Sequence, residues 1–208
     1  MQHAPKIKIC GITRKQDAMV AASLGVDALG FVFYEKSPRY VPPAEAAVII
    51  DTMPPFMTMV GLFVNASLTT INNVLANCPL DVLQLHGHES PDFCAIQKKR
   101  VIKAVGVSRA SDLEKACQYG CTVLLDAKAP NGIHGGSGQT FDWSLLKDFD
   151  HPHPVILAGG LTGDNVQKAL GVRQFYAVDV SSGVESAPGI KDAEKMRRFV
   201  KRVREFKP

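Results

Sequence analysis

The chain has 208 residues, of which 46% are hydrophobic and 21% charged, with a formal net charge of +4. That composition is ordinary for a soluble globular domain, and the charge is too small and too scattered for a nucleic-acid surface, although a local anion site stays open. No stretch approaches the ~18 continuous apolar residues of a membrane span, and residues 1–8 lack the apolar run of a signal peptide.

Eight short runs rich in Val, Ile, Leu and Phe follow in chain order: 6–10, 28–33, 59–64, 82–85, 101–105, 122–126, 155–158 and 176–180. Most are continuous rather than alternating, as expected of strands buried on both faces of a parallel sheet. Helical spacing fills the gaps. After the first run, Ala18, Ala21, Ala22 and Gly25 share one face, and Thr13 with Gln16 has the spacing of a capping box. After the second, paired prolines at 42–43 and 54–55 bracket a short helix over 44–51. After the third, Ile71, Val74, Leu75 and Cys78 repeat the spacing behind Ser67 as cap. After the fourth, Ser90-Pro91 supplies an N-cap and a first-turn proline. After the eighth, Met196, Phe199, Val200 and Val203 lie on one face.

Strand then helix, eight times over, predicts an α/β fold. Within 208 residues it suits a single compact (β/α)8 TIM barrel over 1–208, with parallel inner strands and outer helices. An open doubly wound sheet is the structural rival. Eight strands are many for it, and no Gly-x-Gly-x-x-Gly follows the first strand.

The five cysteines (Cys10, Cys78, Cys94, Cys117 and Cys121) are odd in number and include no Cys-x-x-Cys. They suggest a reducing, cytoplasmic setting rather than disulfides or zinc. His86-Gly87-His88-Glu89 has metal-like spacing, but no second ligand cluster stands at another strand end, so no metal is expected. The Asn65-Ala66-Ser67 sequon is a chance match for such a protein. His151 and His153, set between prolines ahead of the seventh run, belong to a loop at the bottom of the barrel.

In a barrel the chemistry sits at the C-terminal ends of the strands. There the chain places Cys10, Asp126, Gln84 and His86, with Arg39 in the loop after the second strand. Each has a plain structural alternative. Cys10 can be a small core hydrophobe, Asp126 can hold Lys128, and Arg39 can be a solvated loop residue. Glycine also gathers at three strand ends. Gly135, Gly136 and Gly138 follow the sixth, Gly159 and Gly160 the seventh, and Ser182-Gly183 the eighth. One such turn means little. Three on one face, two of them after strands seven and eight, favour a phosphate held by backbone N–H groups.

The ordered motifs resemble the phosphoribosylanthranilate isomerase family. They are Lys8-Ile9-Cys10-Gly11-Ile12-Thr13, Gly30-Phe31-Val32-Phe33 with Ser37-Pro38-Arg39, Gln84-Leu85-His86-Gly87, Leu125-Asp126-Ala127-Lys128, Leu157-Ala158-Gly159-Gly160-Leu161 and Val178-Asp179-Val180-Ser181-Ser182-Gly183-Val184-Glu185. Val60-Gly61-Leu62-Phe63-Val64-Asn65, Gly135-Gly136-Ser137-Gly138, Phe141-Asp142-Trp143 and Pro188-Gly189-Ile190-Lys191-Asp192 complete a set that spans nearly the whole chain. The resemblance implies an Amadori rearrangement of an aminoaldose phosphate in tryptophan biosynthesis, with no metal or other cofactor. It implies Asp126 as general acid, Cys10 as general base and Arg39 on the anthranilate carboxylate. Gly136, Gly138, Gly159, Gly160, Ser182 and Gly183 would hold the phosphate, while Gln84, His86 and Asp179 line the pocket. The partner implied is a small phosphosugar, not nucleic acid or membrane, and monomer and homodimer both stay open. The aminoaldose isomerase of histidine biosynthesis is the nearest rival, but it usually pairs two aspartates.

Overall fold

The computed structural model of the chain describes residues 4–128 and 140–207. The eight runs become eight parallel strands, β1 (Lys6–Cys10), β2 (Ala28–Val32), β3 (Thr58–Phe63), β4 (Val82–Leu85), β5 (Arg100–Val107), β6 (Thr122–Ala127), β7 (Val155–Leu157) and β8 (Ala177–Val180). They close into a barrel in chain order, with β1 paired to both β2 and β8. Around them stand α1 (Lys15–Ser23), α2 (Pro43–Ile50), α3 (Leu68–Asn77), α4 (Pro91–Ala95), α5 (Ala110–Ala116), α6 (Val166–Leu170) and α7 (Ala193–Glu205). This is the (β/α)8 barrel that the apolar runs predict. After β6 the described residues carry a single 3-10 turn, Trp143–Leu146, in place of a full helix. A hairpin of β9 (Glu185–Ala187) and β10 (Ile190–Lys191) lies between β8 and α7.

Side chains two apart along a strand share a face. Val60, Val82, Ile102, Ala104, Leu124, Ile156, Ala158 and Ala177 fill the inside of the barrel. The alternate positions, among them Ile7, Ile9, Leu29, Phe31, Leu83, Leu85, Leu125 and Val178, pack outward against the helices. Both faces are therefore buried, and the runs read as continuous. On α7, Met196, Phe199, Val200 and Val203 turn inward as their spacing requires. Burying each large apolar side chain contributes about 1.5–3 kcal/mol.

Two caps form as expected. The Ser67 hydroxyl accepts the Thr70 N–H, and the Ser90 hydroxyl accepts the Phe93 N–H ahead of Pro91. The Thr13–Gln16 capping box does not form. Arg14 takes the N-cap position with no side-chain capping bond, and the Thr13 hydroxyl is turned toward the Gly189 carbonyl in the β9–β10 turn, to which it donates.

The two ends of the barrel differ. A cavity of about 260 Å³ opens at the strand starts, lined by Lys6, Thr58, Arg100, Thr122 and their neighbours. The candidate acid and base stand at the opposite end. Among the described residues, no helix is long and apolar enough to cross a membrane.

Candidate active site

The inward parity that seats Leu124 and Ala177 in the core also aims Asp126 and Asp179 up the barrel axis, and it does the same for Lys8, Cys10 and Gln84. Cys10 and Asp126, 116 positions apart in the sequence, line one cavity of about 50 Å³ together with Tyr34, Arg39, Gln84, His86, Asp179 and Ser181. Asp126, Asp179 and Ser181 also line a smaller adjoining cavity of about 30 Å³, walled by Gly159, Gly160, Ser182 and Gly183. The two hollows thus share one wall at the C-terminal end of the strands. Gly136 and Gly138 lie outside the described residues.

The acid side of the pocket is a short chain of contacts. Asp126 Oδ2 is 3.4 Å from His86 Nε2, and His86 Nδ1 is 3.1 Å from the Gln84 amide nitrogen. An amide NH₂ only donates, so Nδ1 accepts and the imidazole proton resides on Nε2, facing Asp126. Gln84 is fully buried, and its Oε1 has no hydrogen-bond partner among the described residues. The rival role for Asp126, holding Lys128, is not what the side chains do, since Lys128 reaches toward Asp112 at 3.9 Å instead.

His86 is held from outside the barrel. Lys103, on the outward face of β5, is buried and donates to Glu89, to the Gly87 carbonyl and to the Leu85 carbonyl. Glu89 in turn accepts the N–H groups of Asn65 and Gly87. Burial works against the Glu89 carboxylate, but Lys103 and these N–H donors outweigh it and keep its pKa below the usual value. The network ties the loops after β3 and β4 together immediately beside His86.

The Cys10 side of the pocket is crowded with charge. Lys8 donates to Asp179 at 2.8 Å, both buried and direct register partners across the β1–β8 seam. Lys191 on β10 donates to the Cys10 carbonyl at 2.6 Å and to Glu185 at 2.8 Å. Arg39 rests its Nε and Nη2 on the two oxygens of the same Glu185, at 2.9 and 2.7 Å. Burial pushes the Cys10 thiol up, against the pull of Lys8.

The glycine turns are enforced by geometry. Gly159 has φ +86°, and a Cβ there would lie 2.5 Å from the Ala127 nitrogen. A Cβ on Gly183 would overlap the Leu161 carbonyl oxygen. The turns after β7 and β8 therefore lie backbone against backbone, open to a ligand from above.

The sequence motifs did not single out Lys8, Lys103, Glu185 or Lys191 as partners of the site. The signal for Lys8 and Lys103 was present as lysines inside runs that should be apolar on both faces. Glu185 and Lys191 carried none, because their importance arises from the hairpin that folds them back onto Cys10 and Arg39.

The family model for N-(5'-phosphoribosyl)anthranilate (PRA) isomerase matches residues 7–202. The chain is 50% identical to the N-(5'-phosphoribosyl)anthranilate isomerase of Geobacter metallireducens, over 96% of this chain and 98% of that one. The crystal structure of phosphoribosyl anthranilate isomerase from Thermotoga maritima superposes with a TM-score of 0.89 at 44% identity, covering 96% and 98% of the two chains. A phosphoribosyl anthranilate isomerase in complex with reduced 1-(o-carboxyphenylamino)-1-deoxyribulose 5-phosphate gives a TM-score of 0.85 at 41% identity, again covering 96% and 98%. With a sulfur and a carboxyl group facing one pocket, and a match that runs from the first strand into the last helix, the chain belongs to the N-(5'-phosphoribosyl)anthranilate isomerase family.

Proposed function

We propose that the chain converts N-(5'-phosphoribosyl)anthranilate to 1-(2-carboxyphenylamino)-1-deoxyribulose 5-phosphate, a step of tryptophan biosynthesis. The observation that carries this reading is the shared cavity of Cys10 and Asp126 at the C-terminal end of the barrel. An Amadori rearrangement needs one acid and one base on either side of a sugar. Asp126 protonates the ribose ring oxygen, and the ring opens to a Schiff base. Cys10 as thiolate takes the proton from C2′, and the enolamine tautomerises to the ketone. Each proton transfer of this kind is typically worth ~10²–10⁴ in rate.

The other groups bind and orient. The backbone of Gly159, Gly160, Ser182 and Gly183 holds the phosphate, supported by the small hollow those residues wall. Gly136 and Gly138 join them by resemblance alone. Arg39 offers the edge of its guanidinium that Glu185 leaves free to the anthranilate carboxylate. Gln84 and His86 orient Asp126, and Asp179 lines the pocket floor beside Lys8. Five unpaired cysteines support a reducing, cytoplasmic setting.

The test is product formation from freshly made phosphoribosylanthranilate, compared with Cys10→Ala and Asp126→Asn at matched circular dichroism. Turnover in the parent and its near loss in both variants are expected. Near-normal turnover in a folded variant removes that residue from the mechanism.

A further inference from the structure

We propose that Lys8 is the counter-ion of a Cys10 thiolate, a positioning residue that stabilises the catalytic sulfur in its charged form. The inference rests on Cys10 being the base, as proposed above.

The argument starts from where the lysine is. Lys8 points into the barrel one inward position below Cys10, at a level where the other strands contribute mostly apolar or small side chains. An ammonium buried there is expensive, and a carboxylate partner alone is weak grounds for keeping it, since a well-packed apolar pair serves stability as well or better. Asp179 occupies one of the three ammonium donors, at 2.8 Å. Another side of the ammonium faces the sulfur. Cys10 and Gly30 are register partners across β1 and β2. A Cβ built on Gly30 would meet Cys10 Sγ at 2.8 Å and Lys8 Nζ at 3.1 Å. The bare face of Gly30 therefore leaves a gap that the sulfur and the ammonium enter together.

The remaining charges near the sulfur have partners of their own, and of these Lys191 adds a weaker pull on the thiol. Lys191, from the β9–β10 hairpin, grips the Cys10 carbonyl and Glu185. Arg39, from the loop after β2, is on Glu185. Across the pocket, His86 at the end of β4 faces Asp126 at the end of β6. Tyr34 is the remaining titratable group lining the cavity. Lys8 is the cation that acts most strongly on the Cys10 thiol, and Asp179 is the carboxylate that opposes it. Burial works against the charge on Lys8, yet Asp179 and the sulfur together hold its pKa above the ordinary value. The cation therefore persists at the pH where a thiolate is needed.

The test reads the sulfur itself and needs no isomerase substrate. The purified full chain is alkylated with iodoacetamide across a pH series, and modification of the Cys10 peptide is quantified by mass spectrometry. Lys8→Met should move the midpoint for Cys10 upward by about one pH unit or more. Lys8→Arg should restore most of it. Asp179→Asn, which keeps the cation and removes its competitor, should move it downward. In the double variant Lys8→Met/Asp179→Asn the midpoint should stay above the parent value, because neutralising a merely structural pair would return it. With substrate, the pH–rate profile of Lys8→Met should shift to the basic side with KM little changed. A parent-like midpoint in Lys8→Met or in the double variant overturns the proposal. If Lys8→Met does not fold, an unchanged or raised midpoint in Asp179→Asn overturns it. A parent that alkylates as expected but does not turn over phosphoribosylanthranilate refutes the assigned reaction instead.

Discussion

Arg39 and Glu185 meet as a two-pronged pair, Nε to Oε1 at 2.9 Å and Nη2 to Oε2 at 2.7 Å. The guanidinium is thereby locked in orientation by the protein itself, and under the proposed function its other edge takes the substrate carboxylate. Arg39→Ala should raise KM about ten- to a hundredfold, the value of one charged hydrogen-bonded contact of ~1.5–3 kcal/mol, with kcat less affected. Glu185→Gln should raise KM too, since it unlocks the fork while leaving the arginine in place. Steady-state kinetics on both variants check this, and an unchanged KM in Arg39→Ala removes the carboxylate contact.

His86 shows its protonated nitrogen to Asp126 because Gln84 occupies the other. His86→Ala should lower kcat about ten- to a hundredfold with a small change in KM, on the same scale for one hydrogen bond to a charged group. Gln84→Leu should lower it less, because the ring stays but either tautomer becomes available. The ratio of the two losses is the measurement, and equal losses would mean that Gln84 acts on substrate directly through its unpartnered oxygen.

The turn at Gly159 bears on the proposed acid, Asp126, as well as on the hollow proposed to hold the phosphate. A methyl group there presses on the Ala127 nitrogen, next to Asp126, in a backbone region that side chains rarely adopt. Gly159→Ala should cost about 1–3 kcal/mol of stability and reduce kcat as well as raise KM. Gly183→Ala, whose clash is with the Leu161 carbonyl, should act mainly on KM. Urea denaturation and competition by inorganic phosphate separate the two effects.

Acid stability should report on Glu89. Its pKa is held below the ordinary 4.5 in the folded chain, so its stabilising contribution is complete above that value and is lost as pH falls through the lower folded value. Glu89→Gln should be less stable than the parent near neutrality, and the gap should narrow as the pH drops below about 4.5. Urea midpoints at several pH values between 3 and 7 test this, and a gap independent of pH would refute it.

Much of the site was legible because strand parity is. Once residues 6–10 and 122–126 are strands in a barrel, Cys10 and Asp126 fall at C-terminal ends on the inward face. The glycines at 159, 160 and 183 could be read because few other residues permit such turns. What stayed hidden was pairing across the closure. Lys8 opposite Asp179 depends on the β1–β8 register, and Glu185 under Arg39 depends on the path of a short hairpin, Glu185 to Lys191, that no periodicity reports. The Thr13 hydroxyl was unreadable for the same reason, because the carbonyl it donates to comes from the far end of the chain.

The hairpin after β8 has a consequence for how the enzyme comes into being. Through Lys191 it fastens the Cys10 carbonyl, and through the Lys191 N–H it reaches Asp17 at the start of α1. A ribosome delivers the sulfur 181 residues before its anchor. All eight barrel strands emerge before the hairpin, so the barrel can close while the thiol still lacks its clasp.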